Sequence, residues 1–396
     1  MIPSSRFKPA ILVLSLLGVG LLGVVVGRYV YLSKQRAPVW GVSSSGSRGD
    51  SPGKASNAFP STPANPAQPL AAGSGVFDRI AAEVSGVYEQ AAPAVVRVHA
   101  TDGPEQLAGT GFFIDGQGTV MTAYAVIGQA AGASVDVNGR NFPAKILGRD
   151  PRSGVAVLKI DAGKTPFLEF GEGLRLRPAS AVVSVAFPYD LKAEPTFGLV
   201  AGFDVKYLTR FFATTHLRAN LPIKPGQIGG PLLDSHGKVV GVLMLEIDEG
   251  KACYALPIEA AGKVASNIVK YGEPRHGWMG VGVMPDRSRP DRGAPVFVDR
   301  LYKGTPAEKS GLKAGDEVIS IGGKPVREPS DVLDAAFFSV VGEKVPVKVR
   351  RDGKEEVFTI IVSARPDSSR MVEPAPLFPN PSGGSANQGM PVKANR

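Results

Sequence analysis

The feature of this sequence that most restricts its fold is a succession of short, strand-like runs separated by turn residues. PAVVRVHA at 93–100 alternates apolar and polar side chains, and GTGFFIDGQGTVMTAY at 109–124 places apolar runs on both sides of an Asp-Gly-Gln-Gly turn. An Asn-Gly pair at 138–139 then predicts a hairpin. Because little helix separates these runs, we expect a mainly β chain built from antiparallel barrels or sandwiches.

Length and charge indicate the number of folded units and the class of partner. The chain has 396 residues, which predicts two domains joined to linkers. Its formal net charge of +9 suggests nucleic-acid binding only if the basic residues cluster, and instead they alternate with acidic ones, as in VRRDGKEEV at 349–357. We therefore expect no nucleic-acid partner.

An uncharged apolar segment near the amino terminus predicts a membrane anchor. Residues 10–27 follow Arg6 and Lys8, carry no charge and are nearly long enough to span a bilayer as a helix. A cleaved signal peptide is the alternative, but the segment exceeds the usual apolar middle region and ends in GRYVYL without a small-x-small cleavage site. We expect an uncleaved transmembrane helix. The orientation of this helix in the membrane is not decided by the sequence, because the basic residues between 28 and 36 are about as numerous as those before the segment.

Two segments have the composition of unstructured chain. Residues 41–75 are rich in Ser, Pro, Gly and Ala and nearly free of large apolar side chains, so they cannot bury a core. The tail from Pro366 to Arg396 has the same character. We expect a linker before the first folded unit and a disordered tail after the second.

The cysteine and histidine patterns argue against a disulfide or a metal centre. Cys253 is the single cysteine and lies in the apolar run ACYALPI without a C-x-x-C partner, so we expect a buried, inert thiol. The four histidines, at 99, 216, 236 and 276, are scattered singly, and none has the spacing of a zinc ligand pair. We expect no metal and no cofactor.

Four segments, in the same order, resemble the HtrA/Deg group of trypsin-like serine proteases. They are PAVV at 93–96, GTGF at 109–112, DPRSGVAVLKI at 150–160 and GGPLLDSHGKVVGV at 229–242. The resemblance extends over residues 77 to 364. It implies a chymotrypsin-like double β-barrel with a catalytic triad in its cleft, followed by a PDZ domain, which is a small α+β barrel.

The resemblance also places the three triad positions, and none of them holds a triad residue. The family's histidine motif T-N-x-H-V corresponds to TAYAV, which puts Ala125 at the histidine position. The aspartate motif D-P-x-x-D-x-A corresponds to DPRSGVA, with Gly154, and the serine motif G-N-S-G-G corresponds to GQIGG, with Ile228. Alanine accepts no proton and isoleucine has no lone pair for attack on a carbonyl. We therefore expect no catalytic residues and predict that the chain is not an enzyme but an inactive homologue, a pseudoprotease.

The loop around Ile228 keeps the glycines of the family motif and is expected to be a vestigial oxyanion loop formed by Gly226, Gln227 and Ile228. One interpretation is that the turn needs backbone conformations that side chains forbid. The other is that its N–H groups still form a pocket for an anion or a carbonyl oxygen.

The second folded unit resembles an HtrA-type PDZ domain. The match includes GTPAEKSGLKAGDEVISIGGKPV at 304–326 and the loop formed by Trp278, Met279, Gly280 and Val281, which corresponds to the family's carboxylate-binding motif Y-[LI]-G-[VI]. PDZ domains add an extended peptide to a sheet edge and hold its terminal carboxylate on backbone N–H groups. The resemblance therefore predicts peptide binding at these four residues. The alternative for Trp278 and Met279 is that they only pack the core.

These patterns together predict five regions. They are a cytoplasmic tip and transmembrane anchor at 1–32, a Pro/Ser/Gly linker at 33–76, the trypsin-like double barrel at 77–272, the PDZ domain at 277–364 and a disordered tail at 365–396.

The functional hypothesis is a single-pass inner-membrane protein with its folded domains in the periplasm or another extracytoplasmic space. It would act as an adaptor, regulator or chaperone in protein quality control, bind protein C-termini or unfolded polypeptide, and form a homotrimer or a hetero-oligomer with an active relative. The alternative is an active serine-type endopeptidase that uses an unconventional site or the active site of a hetero-oligomeric partner.

Overall fold

The computed structural model describes residues 75–208, 210–286 and 294–365. The prediction of a mainly β chain is confirmed, since strands form two closed barrels and a further open sheet. Among the helices within these residues, none is long and apolar enough to cross a membrane. The predicted anchor at 10–27 lies outside the described residues, as do nearly all of the predicted linker and tail.

A helix and a six-stranded barrel open the folded part of the chain. Helix α1 spans Val76–Ala91 and continues into a short 3-10 helix, Ala92–Ala94. The strands of the first barrel close in the order β1-β2-β3-β6-β5-β4. Their bounds are β1 Val95–Asp102, β2 Glu105–Phe113, β3 Thr119–Ala123, β4 Ala133–Val137, β5 Arg140–Asp150 and β6 Val155–Lys159, with the short helix α2, Tyr124–Ile127, after β3.

The predicted hairpin between β4 and β5 is confirmed. Val137 pairs with Arg140, so Asn138 and Gly139 form a two-residue connection, and their φ angles are 53° and 81°. Positive φ at both central residues is the geometry that Asn-Gly favours. This turn fixes the register of the two strands.

A second barrel follows with the strand order β10-β11-β12-β9-β8-β7. The bounds are β7 Ala181–Ala186, β8 Glu194–Tyr207, β9 Arg210–Asn220, β10 Pro231–Leu233, β11 Val239–Ile247 and β12 Ala252–Pro257, with 3-10 turns at Gly173–Arg175 and Pro188–Asp190.

Helix α3, Ile258–Tyr271, closes the second barrel and leads to the next domain. It ends at Gly272, whose φ of 77° is the left-handed conformation that a glycine cap adopts readily. Val264 and Ile268 of α3 belong to one buried cluster that also contains Phe112 of the first barrel and Leu256 of the second. The two barrels and this helix are therefore packed around a shared core.

The C-terminal domain is an open sheet with two helices. Its main sheet has the order β14-β15-β16-β18-β19, while β13 pairs with β20 and β17 with β16. The bounds are β13 Gly277–Trp278, β14 Val281–Pro285, β15 Val296–Leu301, α4 Pro306–Lys309, β16 Glu317–Ile321, β17 Lys324–Pro325, α5 Pro329–Phe338, β18 Lys344–Arg351, β19 Lys354–Ile361 and β20 Ser363–Ala364.

Candidate functional site

The structure brings the three predicted triad positions to the seam between the barrels. Ala125 lies in α2, Gly154 in the turn between β5 and β6, and Ile228 in the loop before β10. The amide of Tyr124 donates to the Gly154 carbonyl at 2.6 Å, which joins the first two positions. The amide of Thr110 donates to the Ile228 carbonyl at 2.9 Å, which ties the loop of the second barrel to the first.

Apolar side chains lie at the second and third of these positions, whereas Ala125 is exposed. Met244, on β11, lies over Gly154, because a Cβ built on that glycine would be 3.1 Å from the Met244 sulfur. Met244 packs against the core shared by the two barrels and against the first-barrel cluster. Ile228 packs against the first-barrel cluster and the second-barrel cluster. Thioether and aliphatic groups thus occupy the seam where the family motifs would place a carboxylate and a hydroxyl.

The glycines of the 226–230 loop are required by close packing. A Cβ on Gly229, whose φ is 86°, would overlap the Thr110 carbonyl and the Thr122 hydroxyl. A Cβ on Gly226, whose φ is 92°, would lie 2.5 Å from the Phe187 carbonyl. These contacts support the interpretation that the turn needs glycine for its conformation.

The same loop leaves two backbone donors free. The amides of Gln227, Gly229 and Gly230 donate to backbone carbonyls at 3.2, 2.8 and 3.1 Å. Within the described part of the chain, the amides of Gly226 and Ile228 have no such acceptor. The loop therefore keeps two N–H groups, one on each side of Gln227, that are available to an oxygen atom of a ligand.

A buried polar cluster lies beside Gly154 and was not found from the sequence. The Ser153 hydroxyl donates to Asp150 Oδ2 at 2.5 Å, and His276 Nε2 lies 2.7 Å from the same oxygen. Ser153 and Asp150 are nearly inaccessible. The carboxylate stands between the hydroxyl and the imidazole, so His276 is not placed to take a proton from Ser153, as the base of a triad would be.

The charges of this cluster are fixed by its contacts. Burial acts to raise the pKa of Asp150, but the hydrogen bond and charge of His276 and the hydrogen bonds from Ser153 and Arg152 outweigh it and lower the pKa. Burial, with the charge of Arg365 close by, lowers the pKa of Arg152 to about 10. Asp150 is therefore held as a carboxylate at neutral pH.

Further polar contacts join the C-terminal domain to the barrels. Asp334 on α5 accepts from the Thr214 hydroxyl at 2.5 Å and from the Thr215 amide and hydroxyl at 2.9 and 2.6 Å. The Lys263 ammonium donates to the Phe337 carbonyl and, at 2.9 Å, to the Ser339 carbonyl, which lie at the C-terminal end of α5. Burial lowers the pKa of Lys263 to about 8.

The four predicted peptide-binding residues lie at the start of the C-terminal domain. Met279 is 1% exposed and belongs to the domain core, whereas Trp278 and Val281 are half-buried. Core packing therefore accounts for the Met279 side chain. Gly280 has a φ of 75°, and a Cβ there would overlap the Thr305 side chain. Only glycine fits this conformation and this approach.

The loop carbonyls are occupied and its amides are free. The Met279 carbonyl accepts from Ala307 N at 2.9 Å, and the Gly280 carbonyl accepts from Tyr302 N at 3.0 Å. No acceptor for the amides of Met279 or Gly280 is present among residues 75–208, 210–286 and 294–365. Both N–H groups are thus available to a ligand at the end of β14. Among the residues that the structure describes, β14 pairs with β15 alone, and it contacts α5.

The buried cysteine and histidine of the second barrel have shifted pKa values that keep their side chains uncharged at neutral pH. Cys253 is buried, as predicted, and burial raises the pKa of its thiol to about 12. Burial lowers the pKa of His216 to about 4, so its imidazole is neutral. No group of three or more His, Cys, Asp or Glu side chains in the described ranges is arranged to hold a metal ion.

Two protein-family models match the chain, and named relatives match it over a longer range. A model described as a trypsin-like peptidase domain matches residues 109–242, and one described as a PDZ domain matches residues 277–362. A Chlamydia trachomatis protein named "Probable periplasmic serine endoprotease DegP-like" is 30% identical over 274 residues, which are 66% of this chain and 55% of that protein. A Marinomonas protein of the same name is 29% identical over 281 residues, 68% of this chain and 60% of that protein.

The chain has a trypsin-like peptidase domain followed by a PDZ domain, and its homologues are DegP/HtrA-type proteases. It spans little more than half the length of the curated relatives it matches. Among solved structures, "HtrA-type protease AlgW with tripeptide" superposes with a TM-score of 0.64 at 24% identity, over 72% of this chain and 99% of that one. A serine endoprotease from Yersinia pestis gives a TM-score of 0.55 at 24% identity, over 72% and 98%. These likenesses show an HtrA fold.

The HtrA-type relatives correct one prediction. The chain was predicted not to be an enzyme, because Ala125, Gly154 and Ile228 stand at the triad positions, and this prediction is contradicted by relatives that are named serine endoproteases. The residues at three positions do not exclude enzymatic activity in a chain that shares the peptidase domain of these relatives. Their assignment as degenerate triad positions stays a prediction.

Proposed function

We propose that this HtrA-type chain binds polypeptides through its PDZ domain, with the terminal carboxylate on the loop from Trp278 to Val281 and the preceding residues along β14. The observation that carries the proposal concerns Met279 and Gly280 at the end of β14: within the described ranges, their amides have no acceptor and one edge of this strand is unpaired. Backbone N–H groups that converge on one point hold a carboxylate without any cationic side chain.

The free edge of β14 supplies the second half of this site. An added peptide strand would exchange main-chain hydrogen bonds with β14, and its alternate side chains would enter the cleft toward α5. Val281 and Val283 of β14 and Ala335 and Ala336 of α5 contribute partly buried apolar surface to the domain core.

The cellular setting of this function is also a proposal. Residues 10–27 would anchor the chain in the inner membrane as a single-pass protein, with the folded domains in the periplasm, in agreement with relatives named periplasmic. By binding protein C-termini or unfolded polypeptide, the chain would act as an adaptor, regulator or chaperone in extracytoplasmic protein quality control. A homotrimer, or a hetero-oligomer with an active relative, would present several such sites together.

The experiment uses a library of peptides with free C-termini and the full-length protein. We expect selected peptides to bind, and Gly280→Ala to weaken them, because the added methyl overlaps Thr305 and displaces the loop. Gly323→Ala is the matched control, since Gly323 also has a positive φ, 79°, but open space around it. Thermal melting of each variant separates loop damage from unfolding. Peptides that bind Gly280→Ala as well as the original protein would contradict the proposal.

A second candidate function is hydrolysis of peptide bonds, as the names of the relatives indicate. The free amides of Gly226 and Ile228 favour it, because such N–H groups stabilise the oxyanion of acyl transfer. The nucleophile would come from an unconventional residue or from a partner subunit, since Ile228 has none. Casein cleavage by the purified protein, with a serine-directed fluorophosphonate to label the attacking chain, tests this candidate. The candidate would be eliminated if the protein alone did not cleave casein and if adding it to an active relative did not change that relative's rate of cleavage.

A further inference from the structure

One cavity of the described residues lies next to the carboxylate loop, on a different side of the domain from β14 and α5. Its volume is about 960 Å³, and Trp278, Thr305 and Ile361 are among its lining residues. No lining residue comes from β14 or α5. It is thus a second concave surface of the PDZ domain, on the side of α4 and β19.

The charged side chains that line the cavity are cationic, while the nearby Glu308 carboxylate is bonded to the Gly304 amide. Lys303 and Lys309 line it, and no acidic side chain does. Neither ammonium group has an ion-pair or hydrogen-bond partner in the described part of the chain, whereas Lys348 and Arg350 on the neighbouring strand are both paired with Glu355. Charges at a cavity rim attract opposite charge, so this surface favours an anionic ligand.

The floor of the cavity is apolar and aromatic. The rings of Trp278 and Tyr302 lie 5.9 Å apart at an angle of 50°. Ile361 is 56% exposed, although its neighbour Ile360 is 1% exposed in the core. An exposed aliphatic side chain beside two ring edges provides a contact surface for an apolar side chain of a ligand.

One side of the cavity is formed by β19, the edge strand of the main sheet. β19 pairs with β18 along its whole length, and no strand of the described residues pairs with its other edge. Thr359 and Ile361, which line the cavity, alternate with the core-facing Phe358 and Ile360. An open edge of this kind accepts another extended chain by main-chain hydrogen bonding.

We propose that this cavity binds an internal, acidic, extended peptide segment. The segment adds to the outer edge of β19, places carboxylates on Lys303 and Lys309, and packs an apolar side chain against Trp278 and Tyr302. The strand edge and the aromatic floor select a peptide over a free anion or a lipid headgroup, neither of which uses them. Because the carboxylates belong to side chains, this site needs no free C-terminus, unlike the carboxylate loop.

The experiment measures fluorescence anisotropy of a short labelled peptide in which Glu alternates with Val and Phe. The peptide is acetylated and amidated, so it has no terminal carboxylate, and a twin carries Gln in place of Glu. With the full-length protein, we expect the Glu peptide to bind at least about tenfold more tightly than the Gln twin, equivalent to about 1.4 kcal/mol. Raising the salt concentration from about 0.1 M to about 1 M should weaken binding of the Glu peptide.

Two pairs of variants locate the binding. Lys303→Gln with Lys309→Gln should weaken the Glu peptide by about tenfold or more, while Lys324→Gln with Lys344→Gln, which changes the net charge equally outside the cavity, should not. Ile361→Asp should also weaken it by placing a negative charge in the cavity. Val357→Asp is its control, because Val357 is 60% exposed on the same strand but does not line the cavity.

Three results would overturn the proposal. One is equal affinity for the Glu and Gln peptides, and another is unchanged binding in the Lys303 and Lys309 double variant. The third is binding of vesicles with anionic headgroups through these two lysines when no peptide binds, which would assign the surface to a membrane. Loss of the Glu peptide in the two cavity variants alone supports the peptide site.

Discussion

His276 Nε2 lies 2.7 Å from Asp150 Oδ2, which joins the segment between the barrels and the PDZ domain to the end of strand β5. Ser153 donates to the same oxygen, and the His276 ring is 5.3 Å from that of Phe337 on α5. One carboxylate therefore connects the first barrel, the interdomain segment and the PDZ helix. This carboxylate is one of several contacts at the junction of the barrels and the PDZ domain, together with those of Asp334 and Lys263.

Asp150→Asn should lower the free energy of unfolding at neutral pH by about 1–3 kcal/mol, because His276 and Ser153 lose a charged partner in a buried site. The folded-state pKa of Asp150 is lowered, so its contribution is complete above the unfolded pKa of about 4 and is lost as pH falls through the folded pKa. Urea unfolding of both proteins at neutral pH and at about pH 3 should show the difference shrinking in acid.

Asp161→Asn is the control for this measurement, because Asp161 is exposed. It should leave the unfolding midpoint nearly unchanged at both pH values. An Asp150→Asn protein as stable as the original at neutral pH would show that the cluster does not stabilise the fold.

Asp334→Ala should loosen the PDZ domain from the second barrel. The variant loses three hydrogen bonds to Thr214 and Thr215 and leaves their donors unpaired, a cost of about 1–3 kcal/mol for such part-buried groups. Amide hydrogen exchange should become faster in β9 and α5. The exposed Glu246→Ala is the control, and exchange that is unchanged in the Asp334 variant would show that other contacts hold the domains together.

Gly154→Ala should lower stability by about 1–2 kcal/mol, because the residue has a φ of 83° and the new methyl would meet Met244. Gly86→Ala, in helix α1 with nothing within 4 Å, should instead raise stability by about 0.5–1 kcal/mol. Thermal unfolding of the two variants in parallel tests the sign of each change. Equal effects of the two substitutions would contradict the packing of Met244 over Gly154.

Cys253 should not react with a thiol reagent in the native protein. Its side chain is buried and burial raises the pKa of the thiol to about 12, so both access and thiolate are lacking. Modification by a chromogenic disulfide should appear only after a denaturant is added. Reaction of the native protein at the rate of the denatured one would mean that strand β12 opens readily.

Local rules predicted the local features of the fold. The Asn138–Gly139 turn and the end of α3 at Gly272 both follow from the conformations that these residues favour. Family motifs assigned Ala125, Gly154 and Ile228 to the triad positions, and this assignment stays a prediction. The hydrogen bond from the Tyr124 amide to the Gly154 carbonyl joins the segments that carry the first two.

Contacts between distant segments were not predictable from the sequence. His276 and Asp150 are hydrogen-bonded although they are 126 residues apart in the sequence, and Asp334 and Thr215 are 119 residues apart. No sequence periodicity indicates such pairs. Met244 lies over Gly154 because of the barrel geometry, which the short motifs do not contain. The prediction that the chain is not an enzyme failed for a related reason, because it was derived from three side chains while the similarity to named endoproteases extends over 274 residues.

The most direct measurement of the central claim compares one peptide from the library with its C-terminally amidated twin. If the amides of Met279 and Gly280 hold the terminal carboxylate, the full-length protein should bind the free acid at least about tenfold more tightly, a difference of about 1.4 kcal/mol. Equal affinity for the two peptides, measured by calorimetry under the same conditions, would contradict peptide capture at this loop.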